Sequence, residues 1–241
     1  MSRLKEKTVL ITGASSGIGA ASVAELADAG ANLFIGARRG DRLEAIAKIH
    51  GPNVAWKTLD VTNAEDFDAF ADAAEKEFGR IDVLVNNAGV MPLSRLSALK
   101  RDEWKKMIDV NVHGVLNGIA SLLPRFIAQK DGHFVNVASI GAHMVAPTGA
   151  VYCATKYAVW AISEGLRQEH DDIRTTIISP GVVETELGHD ISVDEAAAGL
   201  SEWRKKSLTP DAIARAIRFA LEQPADVDIN EIVVRPLAAD M

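Results

Sequence analysis

The sequence predicts an α/β architecture, a doubly wound parallel sheet with helices on both faces. Three observations predict it. Short β-branched runs alternate with helical stretches along the chain, a glycine-rich turn follows the first run, and polar or glycine residues suited to ligand binding recur just after the strands. No repeat or Pro/Gly/Ser linker interrupts the alternation, so the 241 residues are read as one domain, 1–241.

Residues 7–12 (KTVLIT) have the β-branched character of a strand buried on both faces. The glycine turn leads into a helical pattern that runs through Ala29 and stops at Gly30. Residues 31–36 (ANLFIG) form a second buried strand, and a charged helix over 41–49 follows, with Asp41 as its expected N-cap. A third strand over 53–59 ends at Asp60-Val61, and 64–78 is an amphipathic helix. The fourth strand, 81–85, ends at Asn86-Asn87-Ala88-Gly89. One long helix is expected over 101–129, with Pro124 as the place for a bend. The fifth strand, 133–138, ends at Ser139. A further helix opens at Ala150, carries Tyr152 and runs to about His170, and the sixth strand, 173–179, ends at Pro180-Gly181. Helices over 185–205 and 210–221 precede a last strand at 231–234.

Composition narrows the partners. The formal net charge of -7 argues against a nucleic-acid backbone, and the run Arg204-Lys205-Lys206 reads as a solvated helix face. The single cysteine, Cys153, allows no disulfide within the chain, and the six histidines show no pair at metal-ligand spacing, so no metal is expected. The start, 1–7, is short and charged without a cleavage signal, and no run reaches the ~18 apolar residues of a membrane span. A cytoplasmic protein that does not enter a membrane is expected.

Glycines between a buried strand and a helix let backbone N–H groups approach a pyrophosphate at the helix's positive end. Gly13, Gly17 and Gly19 have that placement, spaced G-x-x-x-G-x-G. The Lys-Ser/Thr of a nucleoside-triphosphate loop is missing after Gly17 and Gly19. The segment also matches the G-x-S-x-G elbow of serine hydrolases, but no Asp and His partners stand at later strand ends. After the second strand, where an NAD binder would offer an acid, the chain reads Gly36-Ala37-Arg38-Arg39-Gly40. Two guanidinium groups suit a 2′-phosphate, so NADP(H) is expected over NAD(H), with Arg38 as the expected reader.

Tyr152 and Lys156 are four residues apart, on one helix face. A nearby ammonium favours phenolate and lowers a phenol's pKa from its usual ~10, which would let Tyr152 exchange a proton with a substrate oxygen. Cys153, one residue on, points to another face and reads as a small packing residue.

Set side by side, Thr12-Gly-Ala-Ser-Ser-Gly-Ile-Gly19, Asp60-Val61, Asn86-Asn-Ala-Gly89, Asn111, Ser139, Tyr152-x-x-x-Lys156 and Pro180-Gly181 with Thr185 resemble a short-chain dehydrogenase/reductase of the single-domain type, over nearly the whole length. The resemblance implies a Rossmann-type sheet of about seven parallel strands and an NADP(H)-dependent oxidoreductase. It implies Tyr152 as general acid/base, Lys156 tuning it and binding the nicotinamide ribose, Ser139 bonding the substrate oxygen, and Asn111 holding a relay water. Cofactor contacts would come from Gly13, Ser15, Ser16, Gly17, Ile18 and Gly19, from Arg38 and Arg39, and from Asp60 and Val61 at the adenine. Asn87, Ala88 and Gly89 would lie along the cofactor, with Pro180, Gly181, Val183 and Thr185 around the nicotinamide. The helices over 101–129 and 152–170 carry more apolar residues than one sheet face covers, and in this family such helices pair between subunits into a homodimer or homotetramer.

The segment 184–206, with Leu187, His189, Ile191, Leu200 and Trp203, is expected to cover the substrate, and Met91, Ile140, His143 and Val145 to line the same pocket. A mostly apolar pocket with no anchor for a carboxylate points to a neutral ketone, aldehyde or secondary alcohol. The ending at 224–230 is similar to reductases of 3-hydroxy acids, which makes such a dehydrogenase the alternative. A non-catalytic NADP(H) sensor is the alternative from another class. The Ser139, Tyr152, Lys156 and Asn111 set argues against it.

Overall fold

A computed structural model describes residues 3–237. The strands are β1 (Thr8–Thr12), β2 (Asn32–Ala37), β3 (Val54–Thr58), β4 (Val83–Asn86), β5 (His133–Val137), β6 (Arg174–Pro180) and β7 (Glu231–Val234). They form one seven-stranded parallel sheet in the order β3-β2-β1-β4-β5-β6-β7. The chain steps outward from β1 to β3, then returns to place β4 on the other side of β1, so the crevice opens between the carboxyl ends of β1 and β4.

The helices are α1 (Gly17–Asp28), α2 (Gly40–His50), α3 (Ala64–Phe78), α4 (Arg101–Ile108), α5 (Gly114–Gln129), α6 (Ala150–Glu169), α7 (Asp194–Arg204) and α8 (Pro210–Leu221). Two cores lie on opposite faces of the sheet, as alternation along β1 requires. Val9 and Ile11 pack with Val23 and Leu26 of α1 and Ile213 and Ile217 of α8. Leu10 turns the other way, into a core built from Phe67 and Phe70 of α3 and Leu122 and Phe126 of α5. Phe34 of β2 tilts against Phe70 with centroids 5.1 Å apart. Burying each such ring contributes roughly 1.5–3 kcal/mol. These layers hold the strand ends rigid beneath the crevice.

Three sequence expectations are corrected. The helix over 101–129 is not continuous: it widens into a π turn at Asp109–His113, while Pro124 sits inside α5. The turn is buttressed by Asn111, whose side chain bonds the Val90 backbone and Thr155. Residues 185–193 are not helical; α7 begins at Asp194. Gly188 there has φ +89°, and Arg204 takes the Thr185 and Leu187 carbonyls that a helix would use itself. Asp41 is not a cap: α2 starts at Gly40 after Arg39, and Asp41 lies in its first turn, where its charge suits the helix's positive end. Among the described residues no helix is long and apolar enough to cross a membrane, and no three His, Cys, Asp or Glu residues gather as a metal site.

Candidate active site

A cleft of about 1040 Å³ opens at the carboxyl ends of the strands. Every expected catalytic and cofactor residue lines it except Gly19 and Asn111. Those two stand behind its wall and shape it.

The glycine turn is held against the end of β4. Thr12 Oγ1 accepts the N–H groups of Asn87 (3.0 Å) and Ala88 (3.1 Å), and Asn87 Nδ2 donates to the Thr12 carbonyl at 2.9 Å. Gly13 has φ +67°, and a Cβ there would stand 2.8 Å from Ala88 Cα. A Cβ at Gly19 would come within 2.4 Å of the Gly13 carbonyl oxygen, which explains how Gly19 acts without touching the cleft. No side chain caps α1 at Ser16, so its first N–H groups remain available to an anion. The cradle therefore fits a pyrophosphate. Thr12, which ties the turn to β4, was not among the expected site residues.

Of the two arginines after β2, Arg39 is the one aimed at the turn. Its Nε lies 3.1 Å from Ser15 Oγ, and its Nη2 donates to Ser15 Oγ (3.0 Å) and Ser16 Oγ (2.8 Å). Arg38 is exposed at the rim. Both lie past the end of β2, and Arg39, the residue before α2, is the one whose side chain reaches the turn. Asp60 accepts the N–H (3.0 Å) and hydroxyl (2.8 Å) of Thr62, which fixes its carboxylate at the cleft edge. Val61 is buried, and its carbonyl accepts from Asn117 at 2.8 Å.

Ser139 follows β5 in an extended conformation and caps a short 3-10 turn, its Oγ accepting the Gly141 N–H at 3.0 Å. The Tyr152 ring and the Ser139 hydroxyl stand side by side against Gly141 on the cleft wall. Burial pushes the phenol up to about 12, against a lowering by Ser139. Burial likewise pulls Lys156 down to about 8. Its Nζ donates to the Val137 carbonyl at 2.9 Å and stands 5.8 Å from the Tyr152 ring centroid. The expected acidified phenol is thus not what the protein chain alone produces. Loss of hydration outweighs the ammonium one turn on, because that ammonium turns to β5 rather than to the phenol oxygen.

Asn111 is buried in the π turn. Its Oδ1 accepts from Val90 N (2.9 Å), and its Nδ2 donates to Val90 O (3.0 Å) and Thr155 Oγ1 (3.1 Å). Thr155 in turn donates to the Tyr152 carbonyl at 2.6 Å. A Cβ at Gly89 would stand 3.4 Å from Asn111 Oδ1 and 3.9 Å from Lys156 Nζ, so Gly89 lies between them. Thr155 was invisible to motif reading, since a threonine inside a helix carries no signal of its own. At the end of β6 the Gly181 N–H donates to Val234 O at 2.7 Å, and Val183 bridges to Leu208. Cys153 is buried and its thiol is pushed up by burial; its sulfur packs near Gly141 and Gly149.

On the substrate side, Met91, Ile140, Leu187, His189, Leu200 and Trp203 line the cleft as expected, whereas Ile191, His143 and Val145 do not. His143 is drawn to Glu231 (Nε2 to Oε1, 2.6 Å), Val145 is exposed, and Ile191 packs against the Leu93–Met107 cluster. The rim also carries charges that the sequence reading did not place there: Asp102, Lys105, Lys106 and Asp109, with Lys106 paired to Asp190 at 2.8 Å. Arg204 is not solvated as expected but turned inward to the Thr185 and Leu187 carbonyls.

The family described as short chain dehydrogenase matches residues 7–196. The chain belongs to that family. It is 51% identical over 241 residues, 98% of each chain, to an uncharacterized oxidoreductase of Staphylococcus saprophyticus. Its structure is similar to that of an alcohol dehydrogenase from the archaeon Thermococcus sibiricus complexed with 5-hydroxy-NADP (TM-score 0.88, 34% identity, 98% of each chain). It is also similar to a 3-ketoacyl-(acyl-carrier-protein) reductase from Brucella melitensis complexed with NADH (TM-score 0.88, 29% identity, 97% and 98% of the two chains). This short-chain dehydrogenase is thus an oxidoreductase of a family that uses nicotinamide cofactors on small molecules.

Proposed function

We propose that this short-chain dehydrogenase is an NADP(H)-dependent enzyme interconverting a small ketone or aldehyde and its alcohol, with Tyr152 as general acid/base. The observation that carries the reading is that Ser139, Tyr152 and Lys156 stand together on the wall of the cleft, the Tyr152 proton held by burial. NADP(H), when bound, supplies or accepts the hydride. The turn from Gly13 to Gly19 and the start of α1 would hold its pyrophosphate, Arg39 with Ser15 and Ser16 its 2′-phosphate, and Asp60 and Val61 its adenine. Asn87, Ala88, Gly89 and Lys156 would lie along it, with Pro180, Gly181, Val183 and Thr185 at the nicotinamide end.

In the reductive direction Ser139 and Tyr152 donate hydrogen bonds to the carbonyl oxygen, and Tyr152 passes its proton to the developing alkoxide. A phenol near 12 is fully protonated at neutral pH, so the protein is poised as an acid. Lys156, charged below about 8, supplies positive potential beside the phenolate that proton transfer leaves. Asn111 fixes the Val90 turn, and with it Gly89, beside Lys156. The apolar residues of the cleft favour a neutral substrate.

The exposed Ile108, Leu116 and Ile127 on the α4–α5 arm, with Tyr157 and Trp160 on α6, support a homodimer or homotetramer of this one-domain chain; its single cysteine suits a cytoplasmic location. The test of function is a steady-state screen of ketones, aldehydes and 3-hydroxy acids with both cofactors, run on the parent, Arg39→Ala and Arg38→Ala. Arg39→Ala is expected to lower the NADPH-over-NADH ratio of kcat/KM by about tenfold, and Arg38→Ala by less. Equal ratios in the parent and Arg39→Ala would remove Arg39 from its assigned role, and a parent inert on the whole panel would remove the enzyme reading.

A further inference from the structure

The same guanidinium that reaches Ser15 and Ser16 is already engaged by an anion of the chain itself. Glu186 lies on the irregular segment before α7, far from α2 in sequence. Its Oε2 is 2.7 Å from Arg39 Nη1 and its Oε1 is 2.6 Å from Arg42 Nη1. One carboxylate therefore spans Arg39, which reaches the glycine turn, and Arg42 in the first turn of α2. The neighbouring backbone is pinned at both sides of Glu186: Arg204 donates to the Thr185 carbonyl at 2.9 Å and to that of Leu187, and a Cβ at Gly17 would come within 3.0 Å of Thr185 Cγ2. The segment thus bridges the glycine turn on one side and the substrate-covering helix α7 on the other.

Resting on the NADP(H) reading above, we propose that Glu186 is a built-in competitor for the 2′-phosphate seat. Its carboxylate holds Arg39 and Arg42 in the free protein, and the phosphate displaces it. Phosphate binding and the order of the segment 185–188 are then coupled quantities. The chemistry favours this exchange. Glu186 is held down to about 2, by its hydrogen bond from Arg42 first and then by that from Arg39, so a fall in pH within the working range does not release it. What releases it is an anion of higher charge with more acceptor oxygens, and a phosphate monoester carries nearly two charges and three oxygens against the carboxylate's one and two. A 2′-hydroxyl has neither advantage. NAD(H) would therefore leave Glu186 on its arginines, and the dinucleotide that opens the contact is the one that also frees the segment over the substrate side.

Calorimetric titration and hydrogen exchange test the proposal without turnover. Adenosine 2′,5′-bisphosphate and 5′-AMP, which lack the nicotinamide, are titrated into the parent, Glu186→Gln and Glu186→Ala, alongside NADP+ and NAD+. Both variants are expected to bind the bisphosphate and NADP+ roughly fivefold tighter than the parent, with 5′-AMP and NAD+ unchanged, since two half-exposed ion pairs no longer have to be broken. In the parent, the bisphosphate but not 5′-AMP should speed deuterium uptake at the amides of 185–190, and in the variants that uptake should be fast from the outset. Affinities within twofold of the parent, or uptake in the parent unmoved by the bisphosphate, would overturn the competition. A parent that binds the bisphosphate no tighter than 5′-AMP would instead sink the 2′-phosphate reading itself, and the proposal with it.

Discussion

At the amino-terminal rim of the sheet, Asp82 accepts the Thr8 N–H at 2.9 Å, Lys7 Nζ at 2.9 Å and Arg80 Nε at 2.7 Å. Burial alone would raise this carboxyl, but the Thr8 bond and the two cations outweigh it and hold it below its ordinary range. At the carboxyl-terminal rim, Lys156 and Tyr152 are also buried, yet among the described residues the Lys156 ammonium meets the Val137 carbonyl and no acidic side chain pairs with it. Their pKa values move toward the neutral forms, to about 8 and about 12. One rim satisfies its charge within the chain and gains stability. The other leaves ionisable groups in an apolar wall with no counter-charge, which costs stability and keeps them responsive to a ligand.

Substitutions on each rim sharpen that contrast. The largest effect belongs to the carboxyl rim. Tyr152→Phe should lower kcat for carbonyl reduction by about a thousandfold while NADPH affinity, read by fluorescence titration, stays within threefold. Retained turnover would show that another group gives the proton. Next is Asp82→Ala, which leaves the buried Thr8 N–H without its acceptor and Lys7 and Arg80 with Asp131 alone, and should cost about 2 kcal/mol in denaturant unfolding with cofactor affinity unchanged. A loss below about 0.5 kcal/mol would mean that this cluster behaves as a surface one.

The smallest concerns pH. The unfolded chain titrates Lys156 near the ordinary lysine value of 10.5 and the folded chain near 8, so between those values the unfolded state holds more protons. Stability from this group accordingly rises with pH across that window, and the burial cost is felt in full below it. Comparison of the parent with Lys156→Met should show the stability difference shifting by about 2 kcal/mol in the parent's favour from pH 7 to pH 10. A difference that does not vary with pH would contradict the shifted lysine.

Strand ends were the most legible part of the chain. Asn86-Asn87-Ala88-Gly89, Ser139 and Pro180-Gly181 each close a run whose β-branched pattern is unambiguous, and the structure brings them to one cleft. What pattern could not supply was the partner of each polar group. Arg38 and Arg39 are the same residue type in adjacent positions past the end of β2, and only the tertiary arrangement of the loop before α2 decides that Arg39 reaches Ser15 and Ser16. Thr12 and Thr155 act through single hydroxyls on backbone groups dozens of residues away or one turn back, and Glu186 through two arginines at the start of a distant helix, Arg39 just before it and Arg42 in its first turn. Such contacts depend on tertiary distance, which has no period in sequence. A helix over 185–205 is expected from the sequence, but the positive φ of Gly188 and the inward guanidinium of Arg204 hold 185–193 out of it.

The π turn at Asp109–His113 spends one residue more than an ordinary helical turn would. Removing one amino acid there would let an unbroken α-helix form, with better local bonding than the present arm. Everything on its leading half, including Met107 and Trp104 that pack beside Tyr152, would then be swung by about 100° relative to the trailing half. Asn111 would leave Val90, and the wall of the cleft would lose its buttress. A one-codon deletion at this place would therefore yield a straighter arm and a spoiled catalytic chamber, so the length of this stretch is as strictly constrained as the identity of any side chain in it.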